Sequence, residues 1–578
     1  MILQALTRYY EDLLVRGEIS VPGWSPENIS YALRLDADGQ LAGIIPTMKE
    51  QEQGKKTVLR PRSMKLPSPV KRSSGMASNF LWDNSSYILG VDQKGKPERS
   101  LKCFQTAVEL HHKILDQVDS FTAKTVLKFF DTWEPDKARE RLGDYYEEVT
   151  AGGNLVFRVD GAYAQDDTEI REAWERYWKE PEKDSVVMQC LVTGKKEEIP
   201  AIHAAIKGVR GAQSSGAALL SFNAPAFCSY GHEQNYNAPV GKTAASAYTE
   251  ALNYLLADRE HVQQLDNTTV ICWAEGAEPA YQDLAFAALF GTESEEASIS
   301  EKDLRAALKR LSNGLPCEEL GVDPERPFYI LGISPNAARL SVRFFYRDYF
   351  GRFMRNVQEH YNRLEIVKPS YENHTELPLW KLLRETVNQK SKDKSPNTVM
   401  AGAVARAVFS GGNYPASLLE AVMLRIRAER EINWKRAAIL KADYLKNGCE
   451  ASMREVLTVS LNEKSTNPAY TLGRLFAVYE EVQQNANPGI NATIKDKYFN
   501  SAAAMPASIF PILGNLYQKH LKKMDNVGTR IYYEKQVSTL KGILGEEYPV
   551  RMTLAQQGSF DLGYYHQTQK RYTKKEEK

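Results

Sequence analysis

What this sequence lacks narrows it quickly. Its six cysteines (Cys103, Cys190, Cys228, Cys272, Cys317 and Cys449) stand apart with no C-x-x-C pair. That argues against a zinc ribbon and a secreted disulfide frame, and fits a reducing cytoplasm. No apolar run approaches the roughly 18 residues of a membrane span. Met1–Val15 has apolar residues at helical spacing, so a helix is expected there and no signal peptide. The nine histidines are dispersed, with no H-E-x-x-H, adjacent His-Asp or paired-carboxylate constellation. No catalytic residue, metal site or cofactor is therefore expected, and no enzyme activity. A net charge of +1 gives no global field, so any nucleic-acid surface must come from local segregation of charge.

At 578 residues the chain is long enough for roughly two to four domains. The expected fold class is α+β multidomain: a mixed α/β portion with long loops over 1–370, a hinge over 371–397, and an all-α helical bundle over 398–578. Strands are predicted at Ile29–Leu35, Leu41–Ile45, Tyr87–Val91, Leu155–Val159, Val186–Val192 (buried), Thr268–Trp273 and Phe328–Ile333. Helices are predicted at Lys102–Val118, Thr122–Trp133, Glu169–Trp178, Thr243–Leu256, Asp283–Gly291, Glu301–Ser312, Ala469–Gln484, Ser508–Met524 and Thr529–Leu544, with Ser417–Asn447 as one long helix. His111 and His112 point about 100° apart on a helix and read as surface residues. The tail Lys570–Lys578 reads as disordered.

Several segments carry chemistry. Gly54–Arg72 holds Lys55, Lys56, Arg60, Arg62, Lys65, Lys71 and Arg72 without one acid, and Pro61, Pro67 and Pro69 bar a regular helix. It reads as a flexible or extended basic arm whose natural partner is a phosphate backbone. The turn behind it offers Ser73, Ser74 and Asn79 for base edges, with Phe80 and Trp82 read as core. Between Leu191 and Leu256 lies a long loop dense in glycine, serine and asparagine, whose aromatics argue for order. Its Gln213, Ser214, Ser215 and Asn223 suit phosphates or base edges. Val240-Gly241-Lys242-Thr243 resembles the end of a P-loop, but Tyr236 stands where that motif needs glycine. Arg339, Arg343 and Arg347 alternate along a strand-like segment whose core face is Leu340, Val342, Phe344 and Tyr346. These arginines, with Arg425, Arg427 and Lys435, read equally as nucleic-acid-facing or as pairing with acids of a partner subunit.

Four strings resemble a known family: the 191–256 loop, Ser334–Arg343, Leu472–Val478 and Gln557–Gln567. In order and over nearly the whole chain they are similar to the large subunit of the type I-C (Dvulg subtype) CRISPR Cascade complex. The resemblance implies a non-catalytic, cytoplasmic subunit that reads a protospacer-adjacent motif in double-stranded DNA and promotes the R-loop. It implies as partners the guide CRISPR RNA, target duplex and displaced strand, the backbone and handle-binding subunits, and a helicase–nuclease recruited for antiviral defence. It also implies a small subunit resembling the C-terminal bundle, made from an internal start for which Met453 is the candidate and Met423 and Met400 are rivals. The other readings are an architectural subunit capping the guide-RNA end without reading DNA, and an RNA-binding protein outside CRISPR.

Overall fold

A computed structural model describes the chain apart from residues 54–55, 71, 73–75, 94–95, 181–184, 292–298, 373–375, 393, 546 and 573–578, and gives the backbone alone for 50–53 and 56–59. The tail expected to be disordered thus lies largely outside the described residues. The chain divides into two units, Leu3–Ala204 with Ser221–Ala251 and Ala205–Leu220 with Leu252–Lys578. Residues 371–397 fall inside the second. The layout is the expected α+β multidomain one. Among the described residues no helix is long and apolar enough to cross a membrane.

In the first unit α1 (Ile2–Arg16) precedes β1 (Trp24–Ile29), β2 (Tyr31–Leu35), β3 (Leu41–Pro46), β4 (Lys49–Gln53), β5 (Lys56–Arg60), β6 (Arg62–Pro67) and β7 (Trp82–Asn84). Then come α2 (Ser85–Ile88), α3 (Pro97–Leu115), α4 (Phe121–Thr132), α5 (Ala138–Leu142), α6 (Tyr146–Ala151), β8 (Asn154–Val159), β9 (Ala162–Tyr163), α7 (Thr168–Lys179), β10 (Val187–Gln189) and β11 (Lys196–Glu198). The central sheet runs β3-β2-β8-β7, with β9 on β8 and with β2 and β8 parallel. Strand alternation divides its side chains between two faces. Leu33, Leu155 and Phe157 join Phe129, Phe130 and Trp174 in one core. Ala32, Trp82 and Val156 meet Ile29, Met64 and Leu66 of the β1–β6 ribbon in another.

Three expectations fail here, and the basic segment, where described, takes the extended one of its two alternatives. Tyr87–Val91 is not a strand: Asn84 accepts the Ser86 N–H at 3.0 Å and caps α2 instead. Val186–Val192 is not a buried strand either. β10 pairs only with β11, and Val186, Val187 and Leu191 are exposed. The basic segment is no loose arm, since β5 pairs with β4 and β6 with β1, with Pro61 between strands where its missing N–H breaks no ladder. His111 is fully buried, because it shares the α3 stripe of Cys103, Phe104, Ala107 and Ile114.

Helix α8 (Lys242–Ala257) belongs to the first unit up to Ala251, and the second unit continues from Leu252 into β12 (Gln263–Leu265), β13 (Thr268–Ala274), α9 (Ala280–Phe290), α10 (Glu301–Ser312), β14 (Pro327–Asn336), β15 (Arg339–Tyr349), α11 (Phe350–Leu364) and α12 (Leu379–Arg384). After these follow α13 (Thr398–Ser410), α14 (Ala416–Glu429), α15 (Trp434–Asn447), α16 (Pro468–Ala486), α17 (Ile494–Ala504), α18 (Pro506–Lys522), α19 (Val527–Leu544) and α20 (Leu554–Lys570). One core extends from the antiparallel β12-β13-β14-β15 sheet to α20. The single helix expected over Ser417–Asn447 is two. Arg430 turns left-handed at φ 53°, and the Asn433 side chain caps α15. Buried Arg436 locks the break by bonding Glu429, Glu385 and the Glu431 carbonyl.

Helices α16 and α20 touch backbone to backbone. A Cβ on Gly473 would lie 1.9 Å from the Phe560 carbonyl oxygen, and one on Gly563 would lie 2.1 Å from that of Tyr470. Gly563→Ala must force the helices apart and is expected to cost about 3 kcal/mol in urea unfolding. In the first unit, His111 Nε2 accepts the Leu81 N–H (2.9 Å) and Nδ1 donates to the Ala107 carbonyl (2.7 Å). Burial lowers its pKa from 6.5 to about 4. Below pH 6.5 the unfolded chain takes up a proton that the folded chain refuses, so this stability is present above 6.5 and lost as pH falls toward 4. The stability gap between wild type and His111→Leu should shrink by up to about 3 kcal/mol across that window, measured by urea titration at each pH.

Candidate nucleic-acid interface

The basic segment and the turn behind it are knitted together by an acid that the sequence reading did not single out. Asp83 is 1% exposed, and its carboxylate receives both terminal nitrogens of Arg72 and the N–H groups of Asn79 (2.9 Å) and Asn84 (2.8 Å). Burial pushes its carboxyl above the ordinary value, against the opposing pull of Arg72 and the amides. Arg72 also donates to the Ala77 carbonyl (2.6 Å) and lies 4.0 Å from the Tyr87 ring centre. Asn79 is buried, and its side-chain oxygen accepts the Val70 N–H at 2.9 Å. Both side chains expected to face DNA thus hold this loop together. Phe80 and Trp82 are core, as expected.

Lys55, Lys71, Ser73 and Ser74 lie outside the described residues, and only the backbone of Lys56 is described. Arg60, Arg62 and Lys65 are exposed on β5 and β6. Partial burial, then the nearby Arg171 charge, lowers the Lys65 pKa. Arg60 belongs to the β4–β5 ribbon and Arg62 and Lys65 to the β1–β6 ribbon, and solvent-facing cations on each favour an anion there.

In the second unit the 205–220 loop is braced on the sheet. Ile206 pairs with Ala217, and Ala218 bridges to Arg339 at the end of β15. Ile206, Val209 and Ala217 are buried, whereas Lys207, Arg210, Gln213, Ser214 and Ser215 are exposed. Gly216 is required: its φ is 93°, and a Cβ would stand 2.7 Å from the Ile206 carbonyl oxygen. A Cβ on Gly211 would reach Pro335, near the β14–β15 tip, at 3.3 Å. Tip and loop thus form one polar, cationic promontory. Asn223 is exposed, in the first unit.

On β15, Leu340, Phe344 and Tyr346 are buried as expected, but Val342 is 43% exposed. The register passes from Gly332↔Phe344 to Ile333↔Val342, so Arg343 is the extra residue of a bulge and the alternation resets. Arg343 donates from Nε to Ser334 Oγ at 2.5 Å and remains exposed. Arg347 is exposed, beside half-buried Phe345, which continues the stack of Trp273 and Tyr329. Arg339 is half-buried.

The helical cations expected to face a ligand are engaged within the protein. Arg425 lies 3.7 Å from Glu429, Arg427 donates to Gln557 (2.7 Å), and Lys435 lies 3.8 Å from Glu385. The P-loop look-alike opens α8, but Glu197 fills the place of a phosphate, accepting the Thr243 hydroxyl and its N–H (3.3 Å). Lys242 donates to the Trp178 carbonyl (2.9 Å) and to Glu198 (3.3 Å). Met453 is buried in a short 3-10 turn, Ala451–Val456, that precedes α16.

The chain is a CRISPR-associated protein. Residues 6–572 match the family described as CRISPR-associated protein (Cas_Csd1), and the chain belongs to that family. None of the curated proteins matches it. Membership makes it a Cascade-type protein and associates it with a CRISPR complex of RNA and other subunits.

Arg72→Ala strands the buried Asp83 carboxylate. It should lower stability by about 1–3 kcal/mol in thermal or urea unfolding, while exposed Arg62→Ala should stay within about 0.5 kcal/mol of wild type. Equal stabilities for the two variants would contradict the assigned role of Asp83.

Proposed function

We propose that this protein is the non-catalytic large subunit of a type I-C Cascade complex. It reads a short protospacer-adjacent motif in duplex DNA, starts the R-loop and offers a surface to a separate helicase–nuclease in antiviral defence. The observation carrying this reading is the promontory of the second unit, where Gln213, Ser214 and Ser215 stand exposed on a loop braced against β15. Lys207 and Arg210 are exposed there, and no ion pair engages them among the described residues. Cations on phosphates supply salt-dependent affinity without sequence information, whereas short polar side chains at fixed positions read base edges. Base pairing to the guide then supplies the rest of the specificity.

The test is duplex binding by the assembled complex at several salt concentrations, with and without the motif. Lys207→Glu with Arg210→Glu should weaken both duplexes at least about tenfold and lower the salt slope by about one per lost phosphate contact. Gln213→Ala should mainly narrow the gap between the two duplexes. The purified chain should leave both uncut. Wild-type affinity and discrimination in both variants would overturn the reading in favour of an architectural subunit.

A further inference from the structure

The most exposed aromatic side chain described in the first unit sits at a closely hydrogen-bonded turn. Tyr230 is 98% exposed and has a left-handed φ of 53°. A bulky side chain rarely adopts that conformation, and such an outlier persists only where its surroundings enforce it. Ser229 and His232 close the turn through the His232 N–H to Ser229 carbonyl bond (3.0 Å), and Gly231 follows at φ 74°. Positive φ at both central residues is the pattern of a type I′ turn, whose first position favours Asn, Asp or Gly. One side chain clamps the turn: Asn237 accepts the Ser229 N–H (2.8 Å) and donates to the carbonyls of His232 (3.0 Å) and Gln234 (2.9 Å). Asn235, 2% exposed, anchors the base of the loop by donating its N–H to the Ala201 carbonyl at 3.2 Å.

The loop therefore maintains backbone strain to present one ring to solvent. We propose that Tyr230 is a stacking platform for an unpaired nucleobase. The neighbours decide the ligand class. Ser229, Gly231, His232, Glu233 and Gln234 are exposed and polar or lack a side chain. Phe227, 41% exposed, lies three residues away, so the ring stands among mostly polar neighbours rather than within a broad apolar patch, and it offers a planar face on which any base can stack. Asparagine or glycine would suit the turn better, so the tyrosine is present for its ring. This inference rests on the reading of the chain as a nucleic-acid-handling subunit.

The experiment uses the full chain and the assembled complex. The probe is a DNA oligonucleotide carrying 2-aminopurine in a short unpaired stretch, with the fully paired duplex alongside. Wild type and Tyr230→Phe should quench the probe. Tyr230→Asn should abolish quenching and weaken binding of the unpaired probe at least about fivefold. Its melting temperature should equal or exceed that of wild type, and its affinity for the paired duplex should be unchanged. Tyr230→Asn quenching like wild type would overturn the proposal. So would loss of co-purifying protein subunits with probe binding intact, which would make the ring a protein anchor. If Lys207→Glu with Arg210→Glu fails to alter duplex binding while Tyr230→Asn still loses quenching, the duplex-reading proposal fails and the stacking platform stands.

Discussion

The close crossing of α16 and α20 is the contact around which the helical part of the second unit is arranged. Glycine inside a helix costs about 1 kcal/mol relative to alanine, and this pair accepts that cost at Gly473 and Gly563. In return the backbones approach closely enough for their polar side chains to meet. Tyr470 bonds His566 (2.8 Å), Arg474 donates to Gln567 (3.2 Å), and Tyr564 donates to Glu480 (2.6 Å), which also receives the Thr493 hydroxyl (2.6 Å) at the cap of α17. Asp561 is fully buried beside this network, and its pKa is raised well above the ordinary value by burial. These paired polar groups hold the register of the helices while the glycines set their separation, with His566 Nε2 left buried without a partner among the described residues.

That crossing explains two of the strings that betray the family. Leu472–Val478 and Gln557–Gln567 are its two sides, and almost every residue in them is buried. They identify the fold of the bundle through buried packing. The Ser334–Arg343 string is different, since it contains the β14–β15 tip and the bulged Arg343. The 191–256 loop is different again, because its 205–220 portion belongs to the second unit and the rest chiefly to the first.

Much of the architecture was legible because it follows from periodicity. The stripe of α10 announces itself at a spacing of 3.6, and the strands β8, β13 and β14 as short apolar runs. What stayed hidden depends on partners distant in sequence. The Val342 side chain faces outward because of a bulge opposite Gly332, where a Cβ would strike the Phe344 ring at 2.4 Å. Arg72 and Asn79 look like DNA ligands until Asp83 is placed between them. The burial of His111 is legible, since Cys103, Phe104, Ala107 and Ile114 put it on the apolar stripe, whereas its neighbour His112 lies off that stripe. Tyr230 gave no signal at all, because a left-handed φ at a tyrosine leaves no compositional trace.

Charge balance hides a division of labour among the cations. With 74 basic and 73 acidic residues, the chain has nearly enough acids to neutralise every base, yet it does not use them that way. Arg72 and Arg436 are committed to carboxylates inside the fold, where removing the partner would be costly. Lys519, Lys522, Lys535 and Lys541 are exposed on α18 and α19, and no ion pair engages them among the described residues. Exposed ion pairs add little stability, so leaving these lysines unpaired costs the fold almost nothing. It keeps their field directed outward, where it weakens with salt over about 8 Å at physiological ionic strength. The stability of this protein should therefore respond weakly to salt while its attraction for polyanions responds strongly, because different cations carry the two properties.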